Sequence, residues 1–269
     1  MLSANSSDNT CGYDFASFSY RHLASSFRNL KRCQMKYKIA DLIVEMDPKY
    51  ENTKKLAAPF AYHGDREADI KLKVSEEYLA NLMKKMVEGT DAGQTENFAL
   101  GTDFNRKAIR FETMLVHSSA LICDGGAYLF SADSGVGKSY HTRLWLKKFG
   151  DRVHIMNDDK PVVRLYDNGA VAYGTPFDGG SGIALNESFP LKAIIFIERG
   201  ERNSVRVPQN REVIQKLYFQ TAHMVNAETA DKMLGNFEKL LSLTRFYVLT
   251  CNMEDEAAEV AYQCLINTL

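Results

Sequence analysis

Apolar positions along this chain fall into short runs broken by glycine, asparagine and aspartate, with helix-period stripes between some of them. Lys36 to Met46 reads as one strand. Ala68 to Val74 alternates, with Ile70, Leu72 and Val74 on one face and Asp69, Lys71 and Lys73 on the other, and reads as a second. Ser75 is placed to cap a helix through Val87, whose apolar stripe is Tyr78, Leu79, Leu82, Met83 and Met86, with Gly89 at its end. Asp91 to Thr95 has linker composition. Asp103 to Ser118 fits either a thin helical stripe (Phe104, Ala108, Phe111, Leu115) or an alternating strand, and the alternation favours a strand from Ile109 onward.

Two apolar runs, Ala120–Cys123 and Ala127–Phe130, flank Asp124-Gly125-Gly126 and predict a hairpin. Tyr140 to Phe149 predicts a helix ended by Gly150, and Val153–Met156 a short buried strand. Pro161–Tyr166 and Ala170–Tyr173 around Asp167-Asn168-Gly169 predict another hairpin, and Ala193–Ile197 a strand. Beyond residue 207 the stripes Val213, Ile214, Leu217, Tyr218 and Met233, Leu234, Phe237, Leu240, Leu241 predict helices. Phe246–Leu249 reads as a late strand, and a last helix opens at Glu254-Asp255-Glu256, where acidic residues suit the helix dipole. The pattern divides the chain into a poorly ordered or peripheral arm (1–35), a small N-terminal α/β subdomain (36–95) and a larger core (96–269).

Composition narrows the function classes. With 269 residues, 45% of them apolar, and a net charge of −1, the chain is globular and lacks the basic footprint of a nucleic-acid binder. No apolar run is long enough to span a bilayer and the N-terminus lacks a signal peptide's apolar stretch, so the expectation is a cytoplasmic protein without membrane partners. Cys11, Cys33, Cys123, Cys251 and Cys264 have no metal-type spacing and read as reduced, mostly buried thiols.

The chemistry concentrates at Ala132-Asp133-Ser134-Gly135-Val136-Gly137-Lys138-Ser139, between the hairpin and the helix that follows it. Glycines there let backbone N–H groups turn toward an anion, Lys138 supplies a mobile charge for terminal phosphates, and Ser139 offers a hydroxyl to magnesium. Ala132 stands at the first glycine position of the usual phosphate-loop pattern. About twenty residues on, Asn157-Asp158-Asp159 ends a strand, where carboxylates beside a phosphate loop divide metal binding from proton acceptance. His117 is open between an imidazole packed in the sheet and a proton relay or phosphate contact. Gly179-Gly180-Ser181-Gly182 is open between an ordinary loop and a lid. Arg164, Arg199 and Arg202 are equally placed candidates for neutralising phosphate charge.

Taken together, the octet 132–139, the tandem Asp158-Asp159, His117 upstream and the segment Gly174-Thr175-Pro176-Phe177-Asp178-Gly179 resemble the HPr kinase/phosphorylase family, in its shorter HPr-kinase-like branch. The loop is shared in outline with phosphoenolpyruvate (PEP) carboxykinases. The resemblance covers residues 112–200 with motifs. It implies a PEP-carboxykinase-like P-loop nucleotide-binding core of mixed β-sheet with flanking helices. It also implies an ATP- and Mg2+-dependent kinase that transfers the γ-phosphoryl group to a hydroxyl, that of serine first, in a protein, a peptide or a small molecule. On that resemblance Asp133, Ser134, Gly135, Val136, Gly137, Lys138 and Ser139 bind the nucleotide, and Ser139 and Asp158 serve the metal. Asp159 or its neighbour activates the acceptor, with His117 nearby. Relatives in the kinase family assemble as hexamers, which leaves a homo-oligomer open here, although no interface is legible in the sequence. The chain departs from the family at Tyr140, where its kinases carry an acidic residue, and in lacking their phosphorylase signature; Glu198-Arg199-Gly200 reads as a strand exit. The competing reading is a nucleotide-binding regulatory protein that has lost transfer. A PEP carboxykinase proper is disfavoured by the short chain.

Overall fold

A computed structural model describes residues 35–133, 135–221 and 227–265, all within the compact unit Met35–Leu269. The arm expected before Met35, with Cys11 and Cys33, and Ser134 in the glycine loop lie outside the described residues.

The chain runs through β1 (Met35–Ile39), β2 (Leu42–Met46), α1 (Glu51–Ala57), β3 (Ala61–Tyr62), β4 (Ile70–Lys71), α2 (Glu76–Met83) and α3 (Ala92–Ala108). The first four strands form a sheet of order β3-β1-β2-β4. Its core is continuous with α3 and residues beyond: Ile39, Val44 and Phe60 pack in one cluster with Leu100, Phe104, Val162 and Phe177.

Next come β5 (Thr113–Leu115), β6 (Ser118–Cys123), β7 (Gly126–Ser131), α4 (Lys138–Phe149), β8 (Val153–Asp159), β9 (Val162–Tyr166), β10 (Gly169–Tyr173), β11 (Ser188–Arg199), β12 (Ser204–Arg206), α5 (Asn210–Thr221), α6 (Ala227–Leu243), β13 (Arg245–Cys251) and α7 (Glu256–Leu265). Among the described residues these strands make a nine-stranded mixed sheet, β5-β9-β10-β11-β7-β6-β8, with β13 beside β11 and β12 beside β13. Helices cover both faces. Leu129, Ile194 and Val248 face α5 and α6 through Leu217 and Phe237, while Phe130, Ile195 and Leu249 face α4 and α7 through Trp145 and Ala261. Burial on both sides is why the central runs Ala127–Phe130 of β7 and Ala193–Ile197 of β11 are apolar without alternation. Trp145 is fully buried, its indole N–H donating to His141 Nε2 at 3.0 Å.

Strand register positions the site. β7, β11 and β13 are parallel neighbours, so Ser131, Arg199 and Cys251 finish at one end of the sheet. β6 lies between β7 and β8, and its Ser118 pairs with Ser131 on one side and Asp159 on the other. The start of the glycine loop and the tandem aspartates therefore share an edge two strand spacings apart, roughly 10 Å.

Several elements differ from the sequence pattern. Lys36–Met46 is a hairpin and not one strand, turning at Ala40 (φ 50°) and Asp41 (φ 59°). Neighbouring strands hold that turn: Arg164 donates to the Ala40 carbonyl at 2.7 Å, and the Tyr166 and Tyr173 hydroxyls donate to Asp41. Arg164 is thereby a structural residue. Asp91 is not in a linker; it opens α3 with a capping box in which Asp91 and Gln94 satisfy each other's backbone N–H groups. The strand expected from Ile109 starts only at Thr113, because α3 runs to Ala108 and Glu112 (φ 54°) breaks the extended path. The expected strand 68–74 keeps only Ile70–Lys71, and the helix after Ser75 ends at Met83, with Tyr78 and Met83 exposed. The Asp124-Gly125 hairpin forms with both residues at positive φ, as a type I′ turn requires. The 167–169 hairpin forms as well. No helix among the described residues is long and apolar enough to cross a membrane. Burial pushes the Cys123 and Cys251 thiols up to about 12 and about 11, which makes them unreactive.

Candidate active site

From Ser131 the chain leaves β7 and bends through Gly135 (φ 79°) and Gly137 (φ 122°), both in the region that L side chains rarely adopt. The Val136 N–H donates to the Asp133 carbonyl at 3.2 Å, closing the bend. Gly137 then sits at the N-cap of α4 and offers no side chain to its first amides, so the positive end of the helix faces the bend. Arg199, at the end of β11, donates through Nε to the Val136 carbonyl at 2.9 Å and through its other nitrogen to the Gly135 carbonyl. Those two carbonyls are thereby engaged by the Arg199 guanidinium. This contact singles out Arg199 among the three arginines, and α4 itself is tied to the end of β13 by the Tyr140 hydroxyl donating to the Met253 carbonyl at 3.0 Å.

The first turn of α4 reaches the tandem aspartates. Ser139 Oγ donates to Asp158 Oδ1 at 3.1 Å, and Lys138 Nζ lies 3.9 Å from Asp159 Oδ1. Asp159 also faces His117 Nε2 at 3.2 Å and is ion-paired with Lys160. Burial alone would raise the Asp159 carboxyl; the hydrogen bonds and charges of His117 and Lys160 outweigh it and hold the carboxyl far below the usual carboxylate range. Burial depresses the ammonium of Lys138, and the two aspartates offset this only in part. The His117 ring is linked onward: Nδ1 is 2.9 Å from Gln220 Oε1, and Gln220 Nε2 donates to Asp133 Oδ1 at 2.9 Å. A buried side chain of α5 thus joins the glycine loop to the histidine beside the aspartates.

The segment 174–182 packs beneath this group. Asn157 donates to the Thr175 and Phe177 carbonyls, and Asn97 of α3 donates to the Pro176 carbonyl while accepting the Asp178 N–H. Asp178 accepts from the Ser181 and Gly182 backbone N–H groups and from the Ser181 hydroxyl, so the glycine cluster is a pinned turn, which argues against a lid. Gly179 is pressed against Asp159: a Cβ there would stand 2.7 Å from Asp159 Cγ.

Of the residues singled out from the sequence, Lys138, Ser139, Asp158, Asp159 and His117 converge. Gly135, Val136 and Gly137 form the bend beside them, and Asp133 joins through Gln220. Lys160, Gln220 and Asn97 were not identified from the sequence, and of these only Lys160, adjacent to Asp159, had a local signal; Gly179 was noted in the glycine cluster, but its contact with Asp159 was not. Among the described residues no cluster of three or more His, Cys, Asp or Glu side chains is disposed to hold a metal. The Ser139 hydroxyl and Asp158 carboxylate are nevertheless the hard oxygen donors that magnesium takes when substrate phosphates and water complete its shell.

Cavities surround the group. One of about 570 Å³ lies against Asp133, Val136 and Arg199, and one of about 230 Å³ against Gly137, Tyr140 and Met253. A third, of about 450 Å³, is lined by Asp159, Lys160 and His117 and by no described residue of the glycine loop.

No protein-family model matches the chain, and no curated protein matches it in sequence. Among solved structures, an HPr(Ser) kinase/phosphatase from Coxiella burnetii superposes with a TM-score of 0.32 at 9% identity, covering 57% of this chain and 94% of that one. An overlap this slight assigns neither family nor activity.

Proposed function

We propose that the protein is an ATP-dependent phosphotransferase of HPr-kinase-like type, carrying the γ-phosphoryl group to a hydroxyl. The observation that carries this reading is the meeting of two lone groups of α4 with two adjacent carboxylates: Ser139 with Asp158 and Lys138 with Asp159. The backbone bend at 135–137 and the helix terminus supply N–H dipoles for β- and γ-phosphate oxygens. Lys138, buried at a cost while unliganded, gains a polyanion partner. Ser139 and Asp158 would be the residues that hold a magnesium ion, which would supply neutralisation of the phosphate charge.

Asp159 orients the acceptor. Its carboxylate stays ionised and accepts a hydrogen bond from the incoming hydroxyl. The acceptor oxygen bonds to the γ-phosphorus as the bond to the β,γ-bridging oxygen breaks, leaving ADP, and the hydroxyl proton passes to Asp159. In a loose transition state that proton departs late, so a weak, well-placed base suffices. His117 and Lys160 fix the carboxylate, and Lys160 is also near enough to meet charge on the transferred group.

A second reading, a nucleotide-binding regulator without transfer, is favoured by one observation: Asp159 faces Lys138, Lys160 and His117, which together suppress its basicity. The experiment that separates the two is incubation with γ-labelled ATP across an acceptor panel. Transfer to an acceptor or to water that Asp159→Asn abolishes, with ATP binding kept, supports the kinase; binding with no transfer to any acceptor or to water supports the regulator.

A further inference from the structure

We infer that the acceptor is a neutral small-molecule alcohol with an apolar body, held in the 450 Å³ cavity that opens on Asp159. The inference rests on the kinase reading and adds to it the class of substrate.

The cavity has one chemical end. Asp159, Lys160 and His117 line it there, and the remaining wall is built largely by α3 and its continuation, with Phe98, Ile109 and Leu115 contributing apolar surface. Lys160 Nζ stands 5.4 Å from the centre of the Phe98 ring, so the polar end and the apolar wall meet at a defined point. Among the described residues none of the glycine loop lines this cavity, and no aspartate of the tandem pair lines the 570 Å³ cavity beside the loop; Gln220 borders both. Phosphates on the loop and an acceptor in the 450 Å³ cavity would therefore approach Asp159 from different sides, as in-line transfer needs.

Size and charge select the occupant. A volume of about 450 Å³ is that of a small-molecule site, and a single serine side chain would leave most of it empty. Arg106 also borders the cavity, but Asp103 pairs with it at 2.7 Å and Lys160 is paired with Asp159, so among the described residues no uncommitted cation is set there for an anionic substrate. An apolar body filling the cavity also displaces water from the hydroxyl's neighbourhood and so suppresses hydrolysis of ATP.

The test uses the whole protein with benzyl alcohol and methanol as probe acceptors, a seryl peptide as the protein-like alternative, and Thr102→Trp to fill the cavity. Thr102 lines the wall and bonds only within its own helix, to the Phe98 carbonyl. The expected result is transfer of label from ATP to benzyl alcohol with kcat/KM at least about tenfold above methanol and the peptide. Saturation-transfer NMR should show benzyl alcohol binding without nucleotide. Thr102→Trp should remove both signals and keep the ATP-induced rise in Tm; Phe98→Ala, a milder change, should weaken benzyl alcohol binding if the tryptophan variant fails to fold. Equal transfer to methanol and benzyl alcohol, or transfer to the peptide alone, would overturn the inference while leaving the kinase reading intact. Absence of any ATP-induced rise in Tm in the unaltered protein would overturn the kinase reading and the inference with it.

Discussion

Lys138 Nζ and Asp159 Oδ1 lie 3.9 Å apart, and each side chain is nearly buried, with 12% and 16% of its surface exposed. Desolvation lowers the lysine's affinity for its proton despite that neighbour. A folded-state pKa below the unfolded one means the charged lysine opposes folding at neutral pH, and the penalty fades only as pH rises past the folded value. Asp159 keeps His117 and Lys160 without it. Lys138→Met should therefore leave the Tm of the ligand-free protein unchanged or higher, and abolish the rise in Tm that ATP produces. Thermal melts with and without ATP measure both; a ligand-free loss above about 2 kcal/mol would mean the lysine is there for stability.

Gly179 has ordinary backbone geometry but no room for a side chain, because Asp159 occupies the space. Gly179→Ala should displace the carboxylate by a fraction of an ångström to an ångström. The expected outcome is a fall in phosphoryl transfer of about tenfold to a hundredfold, with destabilisation of about 1–3 kcal/mol and little change in ATP affinity. A fall in affinity as large as the fall in turnover would place the effect at the loop.

His141, in the first turn of α4, gives a pH signature. Burial lowers its pKa from 6.5 to about 4, and its Nε2 accepts the Trp145 indole N–H. The unfolded chain takes up the proton near pH 6.5 and the folded one only near 4, so stability is full above pH 6.5 and lost as pH falls through that window. The loss amounts to about 3 kcal/mol. Urea unfolding at pH 7 and pH 4.5 should show it, and His141→Gln, which keeps an acceptor for Trp145 and has no proton to gain, should flatten the dependence. An equally steep loss in His141→Gln would assign the acid sensitivity to other groups.

Local chemistry made part of this site legible. The glycine bend, the lysine and the serine lie within one octet, the aspartates end one strand, and Asp124-Gly125 fixes the hairpin that aims the loop. The Asp91…Gln94 capping box was equally present in the sequence, but Gly93 between its members gave the stretch a linker's composition. What could not be read depends on distant pairing. Ala40-Asp41 carries no turn signature of its own, and the side chains of Arg164, Tyr166 and Tyr173 hold it from more than a hundred residues away. Gln220 and Asn97 look like ordinary polar residues of helices; only the tertiary fold sets them against His117 and Asp178. The alternation after Ile109 misled because the side-chain pattern carries no mark of the left-handed residue Glu112.

The central claim is that Asp158 and the glycine loop together form one magnesium-nucleotide site. Calorimetric titration of ATP, with and without magnesium, into the unaltered protein and Asp158→Asn tests it most directly. Magnesium should tighten binding, and in Asp158→Asn binding should persist while the magnesium effect falls at least about tenfold, the loss of one charged donor. Failure of the unaltered protein to bind ATP, or a magnesium effect unchanged in Asp158→Asn, would contradict it.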